Sequence, residues 1–325
     1  MRAAPVLLPL LLVSSLSAQI TIPRMPAYPA IPPAQGFRVY ISTDMEGLAS
    51  VVFNREIIAG VEGERYRTQT GPDYAHYRGV LTQEVNAAIA GARRAGARSF
   101  VVNEGHGGNQ FANILPWDLD TAALLVRGWP KPLVMTTGLD STAGAFFFIG
   151  AHAGAMTPGV IAHTYAFDTV LVNGRWMNET GINALVAGEY GVPLVLVSGD
   201  DVMVRQAREQ LGSDVIGVVT KTAIGRSAAV GFSPAVVRQL LRDSAAVAVR
   251  RAMRGEFRPF RLPRPYTVEF VLRRSFPQEY VTATEALEAW RGRLERIGDR
   301  TYRFVTNDAR ELARLFDDIE LVVLR

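Results

Sequence analysis

From Phe37 onward the chain alternates short apolar runs with longer segments whose apolar positions recur at helical spacing. "FRVYIST" (37–43), "RSFVVN" (98–103), "GAFFFIG" (144–150), "TVLVN" (169–173), "PLVLVSG" (193–199) and "VIGVVT" (215–220) are the apolar runs. Each is bounded by turn-forming residues, the pattern of strands buried on both faces. Between them lie helical patterns at 72–96, 180–191 and 200–212. Pro72 and Asp73 open the first of these and Gly96 closes it, the order that helix ends require. Strands alternating with helices predict an α/β domain with a largely parallel sheet flanked by helices. After a long helix at 233–255 the pattern changes. The proline- and arginine-rich "EFRPFRLPRPY" leads to a strand, "TVEFVLR", two helices near 283–297 and 306–316, and a last strand, "IELVVLR". An α/β domain at 37–224 and a smaller α+β domain at 225–325 are therefore expected.

The N-terminus has a different grammar. "MRAAPVLLPLLLVSSLSAQ" places one positive charge before a short apolar core and a small-residue stretch. That is the layout of a signal peptide ending near residue 18, too short to span a bilayer comfortably. It predicts a periplasmic or secreted protein. Residues 19–36 are proline-rich and read as an extended linker. The absence of cysteine excludes a lipobox anchor and a disulfide framework, so stability must come from the core. A formal charge of +4 is modest, and acidic residues intersperse the arginines. The cluster Arg250, Arg251, Arg254, Arg258, Arg261 and Arg264 lacks interleaved aromatic residues. It reads as a solvated face or subunit contact rather than a nucleic-acid site.

Candidate chemistry collects where the strands end. Asp44 and Glu46 follow the first strand at i and i+2, so they project to one face. Their mutual repulsion calls for a positive partner or for exposure to water. His106 follows the second strand in "VVNEGHGG", and His152 follows another in "FFFIGAHAG". His163 lies shortly beyond, in "GVIAHTY". In open α/β sheets ligands bind just outside the carboxyl ends of the strands. A single histidine there would be read as a core-edge residue. Two carboxylates and three histidines at strand ends point instead to a metal centre, and His/Asp/Glu ligation without thiolates suits zinc. The remaining histidine, His76, falls early in the first helix and reads as a surface residue. "SGDD" (198–201) reads as a strand-end turn and helix cap. No Gly-x-Ser-x-Gly elbow or phosphate-binding loop is present.

"STDMEG", "VNEGHGGN", "GAHAGAMTPGVIAH", "NETGINALVAGEYGVPLVLVSGDD" and "TKTAIGRSA" occur in that order. They resemble the successive motifs of the zinc-dependent D-aminopeptidases of the DppA type, over most of residues 38–245. The resemblance implies that Asp44, Glu46, His106 and His152 are metal ligands. It adds Glu179, which a reading of the residues alone would leave as a helix-start carboxylate. His163 is implied to be catalytic rather than a ligand. Two zinc ions per subunit, bridged by the aspartate, and assembly into a homo-oligomeric ring are also implied.

The expectation is an exported dinuclear zinc aminopeptidase that hydrolyses short peptides with N-terminal D-residues of the D-alanine kind. Water activated by the metals would attack the amide carbonyl, with assistance from His163 by proton transfer or oxyanion stabilisation. Neither a nucleic-acid partner nor a stable membrane span is expected. Two other readings are a metal-dependent amidohydrolase acting on a non-peptide amide and a periplasmic solute-binding protein.

Overall fold

The buried apolar runs assemble into a seven-stranded sheet, in a computed structural model that describes residues 31–58, 72–107, 111–274 and 290–323. The proposed signal segment and most of the linker lie outside these residues. The chain divides into two units, Met1–Pro32 and Pro33–Arg325, and every element below belongs to the second. Strands β1 (Arg38–Thr43), β2 (Ser99–Glu104), β3 (Ala123–Val126), β4 (Ala143–Ala151), β7 (Leu194–Asp200), β8 (Ile216–Gly225) and β9 (Ala228–Gly231) lie in the order β3-β2-β1-β4-β7-β8-β9. All neighbours are parallel except β8 and β9. β1 and β7 are buried along their whole length, which is why they read as unbroken apolar runs instead of alternating ones.

The chain lays down β1, β2 and β3 in one direction and then crosses to place β4 on the other side of β1. That reversal opens a crevice at the carboxyl ends of β1 and β4, where open α/β sheets bind ligands. Helices α1 (Pro72–Arg94) and α4 (Pro234–Met253) pack together. Their buried Val85, Ile89, Leu241 and Val249 share a hydrophobic core with Val39, Ile41, Phe147 and Ile149 of the sheet. Helices α2 (Glu179–Glu189) and α3 (Asp201–Leu211) flank it as well. Asp200 caps α3 by accepting from Met203 N at 2.7 Å, so the cap reading of "SGDD" holds.

A second, antiparallel sheet has the order β11-β12-β10-β5-β6. It comprises β5 (Phe167–Val172), β6 (Arg175–Trp176), β10 (Tyr266–Leu272), β11 (Leu294–Arg296) and β12 (Thr301–Thr306). Its strands come from either side of residue 224. Helix α5 (Ala309–Val323) covers it through Phe316, whose ring centroid is 4.5 Å from that of Phe167 and 5.6 Å from that of Phe270.

Two expectations fail in this region. The helix near 283–297 is replaced, within the described residues, by a turn and β11; Gly292, at φ 81°, adopts a backbone that a helix cannot contain. Residues 283–289 lie outside the described residues. The last strand, "IELVVLR", is instead the end of α5, to Val323. Buried Leu312, Leu315, Phe316 and Ile319 continue one helical stripe, and that period overrides the β-branched composition. Among the described residues, no helix is long and apolar enough to cross a membrane.

Candidate metal centre

The crevice beside β1 holds the predicted residues together. Thr43 pairs with Glu104 at the end of the β1–β2 ladder, and Gly105 N donates to Thr43 O at 2.8 Å. Asp44 and His106 therefore leave adjacent strands side by side. On the other flank, Asp44 N donates to Ile149 O (2.8 Å) and Gly47 N to Gly150 O (2.7 Å). Glycine is required at both contacts. A Cβ on Gly47 would lie 2.1 Å from Ala151 O, and one on Gly150, which has φ 79°, would lie 2.1 Å from Asp44 O. The loop after β1 is thus pressed against the end of β4, where His152 begins. Glu179 arrives from the first position of α2, whose cap Asn178 accepts from Gly181 N at 3.0 Å.

His106 Nδ1 lies 3.1 Å from Asp44 Oδ1 and 3.2 Å from Glu46 Oε2. His152 Nε2 lies 3.4 Å from Asp44 Oδ2 and 3.3 Å from Glu179 Oε2. The ligand atoms of Asp44, Glu46 and His106 lie within 4.8 Å of one another, as do those of His152, His163 and Glu179. Asp44 faces both groups, one carboxylate oxygen to each. His163 stacks on His152, with ring centroids 3.9 Å apart and planes 12° apart. Five of these six residues are marked by their places along the sequence and Glu179 by the family resemblance, and the fold brings all six into one cluster. His76 is exposed on α1.

Carbonyl oxygens accept only, and that fixes the imidazole tautomers. His106 Nε2 donates to Ile57 O (2.7 Å), His152 Nδ1 to Ala153 O (2.9 Å) and His163 Nδ1 to Ile161 O (2.8 Å). In neutral form each ring turns an unprotonated nitrogen into the cluster, with the far nitrogen anchored as metal-ligating histidines require. Asp44 Oδ2 is buried and accepts no hydrogen bond. Asp44, Glu46, His106, His152 and Glu179 are each at most 6% exposed. Three carboxylates in such a place need cations.

The electrostatics say the same. Burial and the adjacent Glu46 push Asp44 up to about 8. Burial also pushes Glu46 and Glu179 up, but His106 and His152 respectively reverse this and hold both carboxyls low. Burial pushes the two imidazoles down, yet Glu46 holds His106 well above its usual value and Glu179 lifts His152 to about 10. Protonated imidazoles thus supply the missing positive charge, a role that metal ions would take over with release of those protons. His163 is the exception. Burial and the charge on His152 push it down to about 4, so it is neutral at pH 7 with Nε2 free to accept.

Several supporting residues carried no signal in the sequence. Tyr165 N donates to Glu179 Oε1 at 2.6 Å. Glu84, from α1, accepts from Ala49 N at 3.0 Å. Asn113 Nδ2 donates to His106 O at 2.8 Å. Each is an ordinary polar residue until the fold brings it to the site. A cleft of about 510 Å³ opens onto His163 and is also lined by Met156, Thr157, Asp168, Arg226 and Arg273. In the arginine cluster, Arg251 and Arg254 pair with Glu256, and Arg264 with Glu189.

Known proteins resemble this chain in sequence and fold. The family model described as D-aminopeptidase (peptidase M55) matches residues 37–317. A D-aminopeptidase of Bacillus subtilis (strain 168) is 35% identical over 215 residues, 66% of this chain and 74% of that protein. Among solved structures, the Zn-dependent D-aminopeptidase DppA from Bacillus subtilis, a self-compartmentalizing protease, superposes with a TM-score of 0.74. The match is 28% identical and covers 89% of this chain and 97% of the other.

Proposed function

The chain belongs to the D-aminopeptidase family, and from that premise we propose that it is an exported dinuclear zinc aminopeptidase. Its substrates are short peptides with a free amino terminus and an N-terminal D-residue, D-alanine among them. The observation that carries the two-metal reading is Asp44. Its two oxygens face two separate ligand groups, and the one toward His152 accepts no hydrogen bond. Asp44, Glu46 and His106 would hold one zinc ion; Asp44, His152 and Glu179 would hold the other. When bound, the pair supplies Lewis-acid polarisation of the scissile carbonyl and a water of lowered pKa.

The protein's own part is then proton handling and positioning. In its neutral form His163 has one N–H, on Nδ1, and it is committed to Ile161 O. A ring in that state accepts a proton at Nε2 and later returns it to the leaving amine; it has no free N–H for an oxyanion. This favours the acid–base role over the oxyanion role. The cleft beside His163 has room for a short peptide and is the natural path to it. We extend to this chain the self-compartmentalizing habit of its Bacillus subtilis relative, in the form of a homo-oligomer that limits access to small substrates. Export rests on residues 1–18, which have the layout of a signal peptide.

The test is hydrolysis of D-Ala-D-Ala by the zinc-loaded enzyme, beside L-Ala-L-Ala, N-acetyl-D-Ala-D-Ala and a simple non-peptide amide. Cleavage confined to the free-amine D-peptide is expected. Full zinc content with turnover of the non-peptide amide alone would replace the peptidase reading with that of an amidohydrolase.

A further inference from the structure

Of the 35 Lys and Arg residues in the chain, all are arginine except Lys131 and Lys221. Both lysines are buried, at 6% and 1% exposure. A chain that uses arginine at every other cationic position has kept an ammonium at two interior positions. What they touch gives a physical reason.

Lys221, on β8, donates from Nζ to Glu46 O at 2.5 Å and to Leu48 O at 2.8 Å. Its neighbour Thr220 donates from Oγ1 to Gly47 O at 2.7 Å. Three consecutive carbonyls of the loop bearing Asp44 and Glu46 are therefore held by two consecutive residues of β8. Lys131, in the segment between β3 and β4, donates from Nζ to Asn103 Oδ1 at 2.8 Å and to Glu104 O. It also lies 5.0 Å from the centroid of the Phe111 ring. That contact falls on the end of β2, two residues before His106. The hydrogen bonds of both lysines thus run to the segments that carry one ligand group, Asp44–Glu46–His106. Buried carbonyls outside a ladder need donors. An ammonium on a thin stem supplies three, whereas a planar guanidinium would bring five into a space that offers two carbonyls.

We infer that Lys131 and Lys221 are positioning residues for the Asp44–Glu46–His106 metal group, fixing the main chain of the two loops whose side chains meet there. The selectivity of this effect for one group rests on the two-metal reading above; the positioning role itself does not. Outer partners that orient metal ligands typically alter affinity by about 10–100-fold when removed, and an effect of that size is expected at one group only.

Zinc titration against a chromophoric chelator separates the possibilities, with wild type, Lys221→Met, Lys131→Met and Lys221→Arg run side by side. Thermal unfolding of each metal-free form is recorded in parallel. One of the two zinc-binding steps should weaken about 10–100-fold in both methionine variants, with the other step within about threefold of wild type. Lys221→Arg should not restore it. Lysines that merely support the fold would lower the melting temperature of the metal-free protein and leave both steps in place. That result, or equal weakening of the two steps, overturns the inference. Thr220→Val removes one donor from the same loop, and it should shift the same step by a smaller factor even if a lysine variant fails to fold. Should wild type show a single step, the two-metal reading fails by itself. The positioning role then stands if that step weakens in the lysine variants and falls if it does not.

Discussion

The two halves of the cluster are built differently. Asp44, Glu46 and His106 leave the ends of neighbouring parallel strands, where the β1–β2 register fixes their spacing. β4, β8 and α1 then clamp the loop from three sides. In the other half only His152 directly follows a strand. His163 comes from the excursion between β4 and β5, and Glu179 from the first turn of α2. Glu179 is held by the N–H of Tyr165. Tyr165 in turn packs at 5.7 Å on Phe316 of α5, over the antiparallel sheet. One half is set by the register of neighbouring parallel strands and the other by a loop and a helix start held beside the antiparallel sheet. Their sensitivities to substitution should differ accordingly.

The largest effect is expected where the halves meet. Asp44→Ala removes the residue that both share, so zinc should fall below one ion per chain. The rate should drop by about 10³-fold or more, several kcal/mol of lost transition-state stabilisation. Glu46→Gln and Glu179→Gln each touch one half, and metal analysis should find each closer to one zinc. Next comes His163→Ala, expected to lower kcat by about 10²-fold or more with zinc content unchanged. Loss of zinc in that variant would make His163 a ligand and shift it from proton transfer to metal binding.

Packing sharpens the contrast further. Phe316→Ala opens a cavity under Tyr165 and should cost about 3–5 kcal/mol of stability, read by denaturant unfolding. Its effect on zinc should fall on the His152–Glu179 half. The smallest effect concerns the clamp on the first half. Burial raises Glu84 to about 7. A carboxyl raised in the folded state contributes stability that is complete below its unfolded pKa of about 4.5 and is lost as pH rises through about 7. Wild type should therefore lose about 1–3 kcal/mol across that window relative to Glu84→Gln. Parallel pH profiles of the two proteins would dispense with this role for Glu84.

The same division governs what the sequence discloses. Strands buried on both faces announce themselves as apolar runs, and candidate site residues placed at their ends, Asp44, Glu46, His106 and His152, can be read directly. Glu179 has no such local mark; only the resemblance of its motif singled it out. The antiparallel sheet is obscure for a related reason. β5 pairs with β10 across nearly a hundred residues, β12 went unrecognised, and the end of α5 has the composition of a strand. Lys131 and Lys221 stand out in composition, yet their role depends on carbonyls whose direction no sequence pattern reveals.

The central claim is that Asp44 joins two metal positions. Anomalous scattering at the zinc edge from crystals of the zinc-loaded enzyme tests it most directly. Two peaks are predicted, one among Asp44, Glu46 and His106 and the other among Asp44, His152 and Glu179. A single peak, or a pair that does not share Asp44, would contradict the account.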